Sequence, residues 1–122
     1  MRILVIDDDD VFCRMLVEIL EEIGIEAACR TNGLDAYEML ASDPFDLCII
    51  DVRMPLVLGT ELAAAIKEDH PSIKLILASA FADQALREYA QRKGILLLSK
   101  PFTKLQLFDA VKIASGESIG RN

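Results

Sequence analysis

Four aspartates in a row, Asp7 to Asp10, follow the apolar stretch Ile3-Leu4-Val5-Ile6. Asp51 follows a second apolar stretch, Ser79 a third and Lys100 a fourth. Clustered carboxylates repel one another and must be neutralised. A hard divalent cation does this with oxygen ligands, and Mg2+ takes only a few of them from protein. A lysine facing such a cluster suits a transferred phosphoryl group, whose charge a metal and an ammonium can share. Residue type leaves the working pair open between Asp7/Asp8 and Asp8/Asp9. Taken alone, the four aspartates are equally well explained as a solvated helix N-terminus favoured by the helix dipole. Asp51, Ser79 and Lys100 at matching positions turn the balance toward a site.

Elements that could bring these residues together are readable from the hydrophobic pattern. Ile3 to Ile6 has no polar alternation, as expected of a strand buried on both faces. Val11 to Ile23 repeats apolar residues at helical spacing, with Asp9 or Asp10 as N-cap and Gly24 as stop. Weaker strand character runs from Ile25 to Arg30. Asn32-Gly33 marks a turn, and a short helix is expected over Leu34 to Ser42. Phe45 to Ile50 is the next strand, ending at Asp51, and Thr60 to Asp69 the next helix. Ile73 to Ala78 and Ile95 to Leu98 are further strands, with a helix over Ala82 to Lys93 between them. Thr103 can cap a final helix to about Ala114. The fold class is thus α/β, a β-α unit repeated five times with a parallel sheet and helices on both faces. The flavodoxin-like strand order 2-1-3-4-5 is the expected choice for five strands, and in such sheets the site lies at the carboxyl ends of the strands.

The 122 residues suit one domain, expected over residues 1–115, with 116–122 as a polar tail or the start of a linker. Acids number 20 and bases 13, for a net charge of −7. Residues 1–26 hold eight acids against two bases, so −6 of that charge sits in the first fifth of the chain. This balance disfavours direct binding to nucleic acid, which needs a basic face. No apolar run is long enough to span a bilayer, and no signal peptide is apparent, so a cytoplasmic protein is expected. Cys13, Cys29 and Cys48 form no C-x-x-C and read as buried reduced thiols. His70, the only histidine, reads as a surface residue at a helix end.

Four blocks closely resemble the receiver domain of bacterial two-component response regulators. They are Ile3-Leu4-Val5-Ile6-Asp7-Asp8-Asp9, Asp46 to Pro55 followed by Gly59, Ala78-Ser79-Ala80, and Ser99-Lys100-Pro101-Phe102. The resemblance implies a signalling switch, not an enzyme acting on a separate metabolite. It implies that Asp51 accepts a phosphoryl group from a sensor histidine kinase or phosphotransfer protein. Asp8 and Asp51 would bind Mg2+ directly, with the backbone carbonyl of Arg53, and Asp7 mainly through water. Lys100 would pair with the phosphoryl oxygens and Ser79 would donate its hydroxyl to one of them. The Lys100-Pro101 bond would be cis, aiming the lysine. A downstream effector domain or protein would read the switch, and a homodimer is possible in such a family.

Some residues depart from the family pattern. Ser79 stands where threonine is commoner, and Leu97 where many relatives carry a tyrosine or phenylalanine that swings inward. Arg53 and Phe81 occupy positions that tune the lifetime of the phosphoryl group, and their bulk predicts a long-lived state. Phe102 and Phe108 read as core, while Tyr89 has an output-surface and a solvated-face reading. A flavin carrier of similar topology would want glycines and hydroxyls after the first strand, where this chain has aspartates. A phosphohydrolase with an aspartyl nucleophile would need a gating insertion for which the chain leaves little room.

Overall fold

The structure, a computed structural model, describes residues 1–116. The elements alternate in chain order as β1 (Arg2–Ile6), α1 (Asp10–Glu22), β2 (Glu26–Arg30), α2 (Gly33–Ser42), β3 (Leu47–Asp51), α3 (Gly59–Asp69), β4 (Lys74–Ser79), α4 (Gln84–Lys93), β5 (Leu96–Ser99) and α5 (Lys104–Ala114). All five strands are parallel, in the order β2-β1-β3-β4-β5. The expected fold class and strand order are both observed. The tail expected from residue 116 lies, apart from Gly116, outside the described residues.

Side-chain alternation divides the core into two layers. Ile3, Val5, Leu47, Ile49, Ile76 and Ala78 meet Cys13, Leu16 and Leu20 of α1 and Leu107, Ala110 and Val111 of α5. Leu4, Ile6, Cys48, Ile50, Leu75 and Leu77 point the other way, onto Ala36 and Leu40 of α2 and Leu62, Ala63 and Ile66 of α3. Each central strand is therefore apolar at successive positions, because both of its faces are covered. Phe102 and Phe108 pack against the α1–α5 layer, so their core reading holds.

The helix starts follow their caps. Asp9 accepts from Phe12 N–H, Asn32 from Asp35 N–H, Asp83 from Leu86 N–H and Thr103 from Gln106 N–H. Asp83 as the cap moves the start of α4 to Gln84, two residues later than expected. α3 begins at Gly59 behind Leu58, which has no side-chain oxygen to offer. His70 is the C-cap of α3, half-buried with its ring 6.1 Å from that of Tyr37, so it is less exposed than a plain surface residue. All three cysteines are free, with Cys29 only half-buried. Burial pushes the Cys48 thiol up to about 12 and the Cys13 thiol up as well, which keeps both protonated. No helix among the described residues is long and apolar enough to cross a membrane.

Candidate functional site

The carboxyl ends of β1, β3 and β4 and the segment after β5 converge because the ladder continues past each strand. Asp7 N–H donates to Arg30 O at 3.2 Å, Val52 N–H to Ala78 O at 2.9 Å, and Lys100 N–H to Ser79 O at 2.8 Å. These bonds place Asp7, Asp51, Ser79 and Lys100 side by side at one end of the sheet. Asp7, Asp51 and Ser79 are buried there.

Oxygens of Asp7, Asp8 and Asp51 lie within 4.8 Å of one another. Asp8 is exposed, whereas the other two face inward. Asp9 turns away to cap α1, and its N–H donates to Asp7 Oδ1 at 2.9 Å. Asp7 and Asp8, and not Asp9, are thus grouped with Asp51. Lys100 Nζ donates to Asp7 Oδ2 at 2.7 Å and to Asp51 Oδ1 at 3.1 Å. The Lys100-Pro101 bond is cis.

One ammonium cannot satisfy three carboxylates. Burial raises the Asp51 carboxyl to about 6, repulsion from Asp7 adds to this, and the Lys100 bond only partly opposes it. Burial pulls the Lys100 ammonium down, but its bonds to Asp7 and Asp51 outweigh that and leave it above its usual value. An uncompensated cluster of hard oxygen donors fits a divalent cation such as Mg2+. Ser79 Oγ accepts from Phe81 N–H at 3.0 Å, which leaves the hydroxyl hydrogen to donate elsewhere.

Asp51, Arg53, Ser79, Ala80, Phe81 and Lys100 line a cavity of about 550 Å³ above the cluster. Another cleft, about 430 Å³, lies at the opposite ends of β4 and β5, lined by Lys67, Lys74, Gln91 and apolar groups, and brings no carboxylate or hydroxyl together. The chemistry belongs to the first cavity.

A family model, the response regulator receiver domain, matches residues 3–112. The chain belongs to this family. The receiver protein CpdR of Brucella abortus is 36% identical over 112 residues, covering 91% of this chain and 93% of that protein. The transcriptional regulatory protein ZraR of Klebsiella oxytoca is 38% identical over 108 residues, covering 86% of this chain but only 24% of the longer regulator. The receiver TrrA of Thermotoga maritima, solved in complex with Mg2+ and BeF, superposes with a TM-score of 0.83 at 32% identity, covering 93% of this chain and 97% of that one. Receiver domains of two-component systems are phosphoryl-accepting signalling switches and are generally not enzymes.

One neighbour of the site, and the reason for another, lie beyond sequence reasoning. Phe12 of α1 places its ring 4.6 Å from Lys100 Nζ, a contact between positions 88 residues apart that no local pattern reveals. Gly59 was legible as part of a motif, but its reason was not. A Cβ at position 59 would collide with the Asp51 carbonyl oxygen and lie 2.8 Å from Val52 Cα. Tyr89, expected on an output surface or solvated face, is half-buried, and its hydroxyl donates to Thr60 O at 3.2 Å. Leu97 is half-buried and packs on the α2–α3 layer.

Proposed function

We propose that this chain is a phosphorylation-dependent switch whose phosphoacceptor is Asp51. One observation carries the reading: a buried strand-end carboxylate within 3.1 Å of Lys100, set among the carboxylates of Asp7 and Asp8. The phosphoryl donor is a phosphohistidine on a sensor histidine kinase or phosphotransfer protein. An Asp51 oxygen forms the new P–O bond, the P–N bond breaks, and the imidazole nitrogen keeps the electron pair. Lys100 stays close enough to share the charge of the arriving phosphoryl oxygens. The Ser79 hydroxyl donates to one of those oxygens and draws the loop after β4 inward. Movement of that loop and repacking around Leu97 alter the surface that a downstream effector domain or protein reads; a homodimer is one form that such an output could take.

Asp8 and Asp51 would hold Mg2+ directly, with the Arg53 carbonyl, and Asp7 mainly through water. When bound, the ion supplies positive charge that offsets the carboxylates and the phosphoryl group. The similar TrrA receiver, solved in complex with Mg2+ and BeF, supports a Mg2+ site here. The functional unit spans residues 1–115 and works in the cytoplasm without contacting nucleic acid or membrane itself.

Incubation with Mg2+ and acetyl phosphate tests the reading. Mass spectrometry should show one added phosphoryl group on the wild type and none on Asp51→Ala. An unmodified wild type would make a passive interaction module the better description.

A further inference from the structure

Phe12 is half-buried in the first turn of α1 and has no part in the chemistry described so far. Its ring has two partners. Lys100 Nζ lies 4.6 Å from the ring centroid. The Phe102 ring meets it edge-on, with centroids 5.8 Å apart and planes at 72°. The same ammonium already donates to Asp7 and Asp51. An ammonium has three donors, and two are spent on these carboxylates. An aromatic face attracts positive charge through its quadrupole but has no lone pair on the ring to claim the third donor. A lysine stem is long and flexible, and an apolar wall beside its head both restricts it and keeps water off one side.

We propose that Phe12 is a positioning residue, an aromatic platform braced by Phe102 that holds the Lys100 ammonium beside the acceptor oxygen of Asp51. The proposal rests on the reading of Asp51 as phosphoacceptor. It gives opposite signs for two ligands. Lys100 and a divalent cation compete for the oxygens of Asp7 and Asp51, so releasing Lys100 eases cation binding. A phosphoryl-like anion at Asp51 needs the ammonium close by, so releasing Lys100 weakens it. A site that merely loosened would bind both ligands less well.

Calorimetric titrations of the full chain with Mg2+, and with beryllofluoride at saturating Mg2+, test this. Phe12→Leu keeps apolar bulk and removes the ring, Phe12→Met repeats that change with a longer chain, and Phe12→Tyr keeps the ring. Either apolar variant should bind Mg2+ about two- to threefold more tightly and beryllofluoride about three- to tenfold more weakly, with Phe12→Tyr within about twofold of wild type for both. Apolar variants that match wild type, or that weaken both ligands, overturn the platform. A wild type that binds Mg2+ but not beryllofluoride overturns the phosphoacceptor reading, and the platform with it.

Discussion

The Arg53 guanidinium lies over the Phe81 ring, 5.5 Å from its centroid, and both side chains line the cavity above Asp51. The first side chain comes from the loop after β3 and the second from the loop after β4, so the pair bridges the mouth of the site. Hydrolysis of phosphorylated Asp51 requires a water in line with the P–O bond. A cation stacked on an apolar ring hinders that approach. An exposed cation–π contact is worth about 0.5–1 kcal/mol, so Arg53→Ala should speed phosphoryl loss about two- to fivefold. Phe81→Glu should speed it at least as much, because it removes the ring and introduces a polar group that can hold water. Decay of the phosphorylated chain, followed by mass or radiolabel, measures this, and equal rates in all three proteins would refute it.

Gly59 has no room for a side chain. The first turn of α3 rests on the backbone of Asp51 and Val52, with Gly59 N–H donating to Val52 O at 2.8 Å, and an added Cβ would meet the carbonyl oxygen of Asp51 itself. Backbone cannot swing aside as a flexible side chain can. Overpacking of this kind costs about 1–3 kcal/mol. Gly59→Ala should therefore lower the unfolding free energy by that much, read from denaturant melts, and also slow phosphorylation by acetyl phosphate, because relief of the clash displaces Asp51. A variant with wild-type stability and wild-type rate would show that the loop yields freely.

Without Mg2+ the site should make stability fall as pH rises. The Asp51 carboxyl goes from its ordinary value of 3.8 to about 6 in the fold. Between those values the folded chain keeps a proton that the unfolded chain has lost. The stabilising effect of that proton disappears above about 6, leaving a penalty of up to about 3 kcal/mol at neutral pH. Asp51→Asn removes the charge and the penalty. In metal-free buffer it should exceed wild type by about 1–3 kcal/mol at about pH 7, with the gap closing toward about pH 4. Adding Mg2+ should raise the wild-type midpoint and raise that of Asp51→Asn much less, since binding to the folded state alone stabilises it. Denaturant melts across this range, with and without the ion, check both signs.

How far the sequence reached can be seen at individual residues. Strand and helix identities were legible because both faces of the central strands are covered and four helices carry a side-chain N-cap. α3 starts at Gly59, one residue before the Thr60 that the pattern suggests, because Leu58 gives no capping signal. Asp7, Asp51, Ser79 and Lys100 were legible because each ends an apolar run. The register of four identical aspartates was not, since only the turn that sends Asp9 to cap α1 separates it from Asp7 and Asp8. Nor could the sequence show that Asp7 is the nearer partner of Lys100 or that Phe12 backs the ammonium. Those facts depend on how α1 lies against the segment after β5, which no local pattern encodes.

The loop between β3 and α3 forgoes stability that two substitutions should restore. Leu56 is 91% exposed and has φ of +74°, in the left-handed region. A Cβ crowds the backbone there, at roughly 1–2 kcal/mol, and the exposed side chain has little packing to offset it. Leu58 is the N-cap of α3 and contributes no side-chain acceptor. Glu61 reaches back to Leu58 N–H at 3.2 Å, so one half of a capping box is already in place. Leu58→Asp supplies the other half by accepting from the N–H of residue 61, and its charge faces the positive end of the helix dipole. The gain should be about 1 kcal/mol. Leu56→Asn, whose side chain tolerates the left-handed region, should add about 0.5–1 kcal/mol. The positions are two residues apart on one loop, so the double variant can depart from a simple sum, and the single variants carry the test. Thermal and denaturant melts should place both above wild type. A Leu58→Asp variant at or below wild type would refute the capping argument.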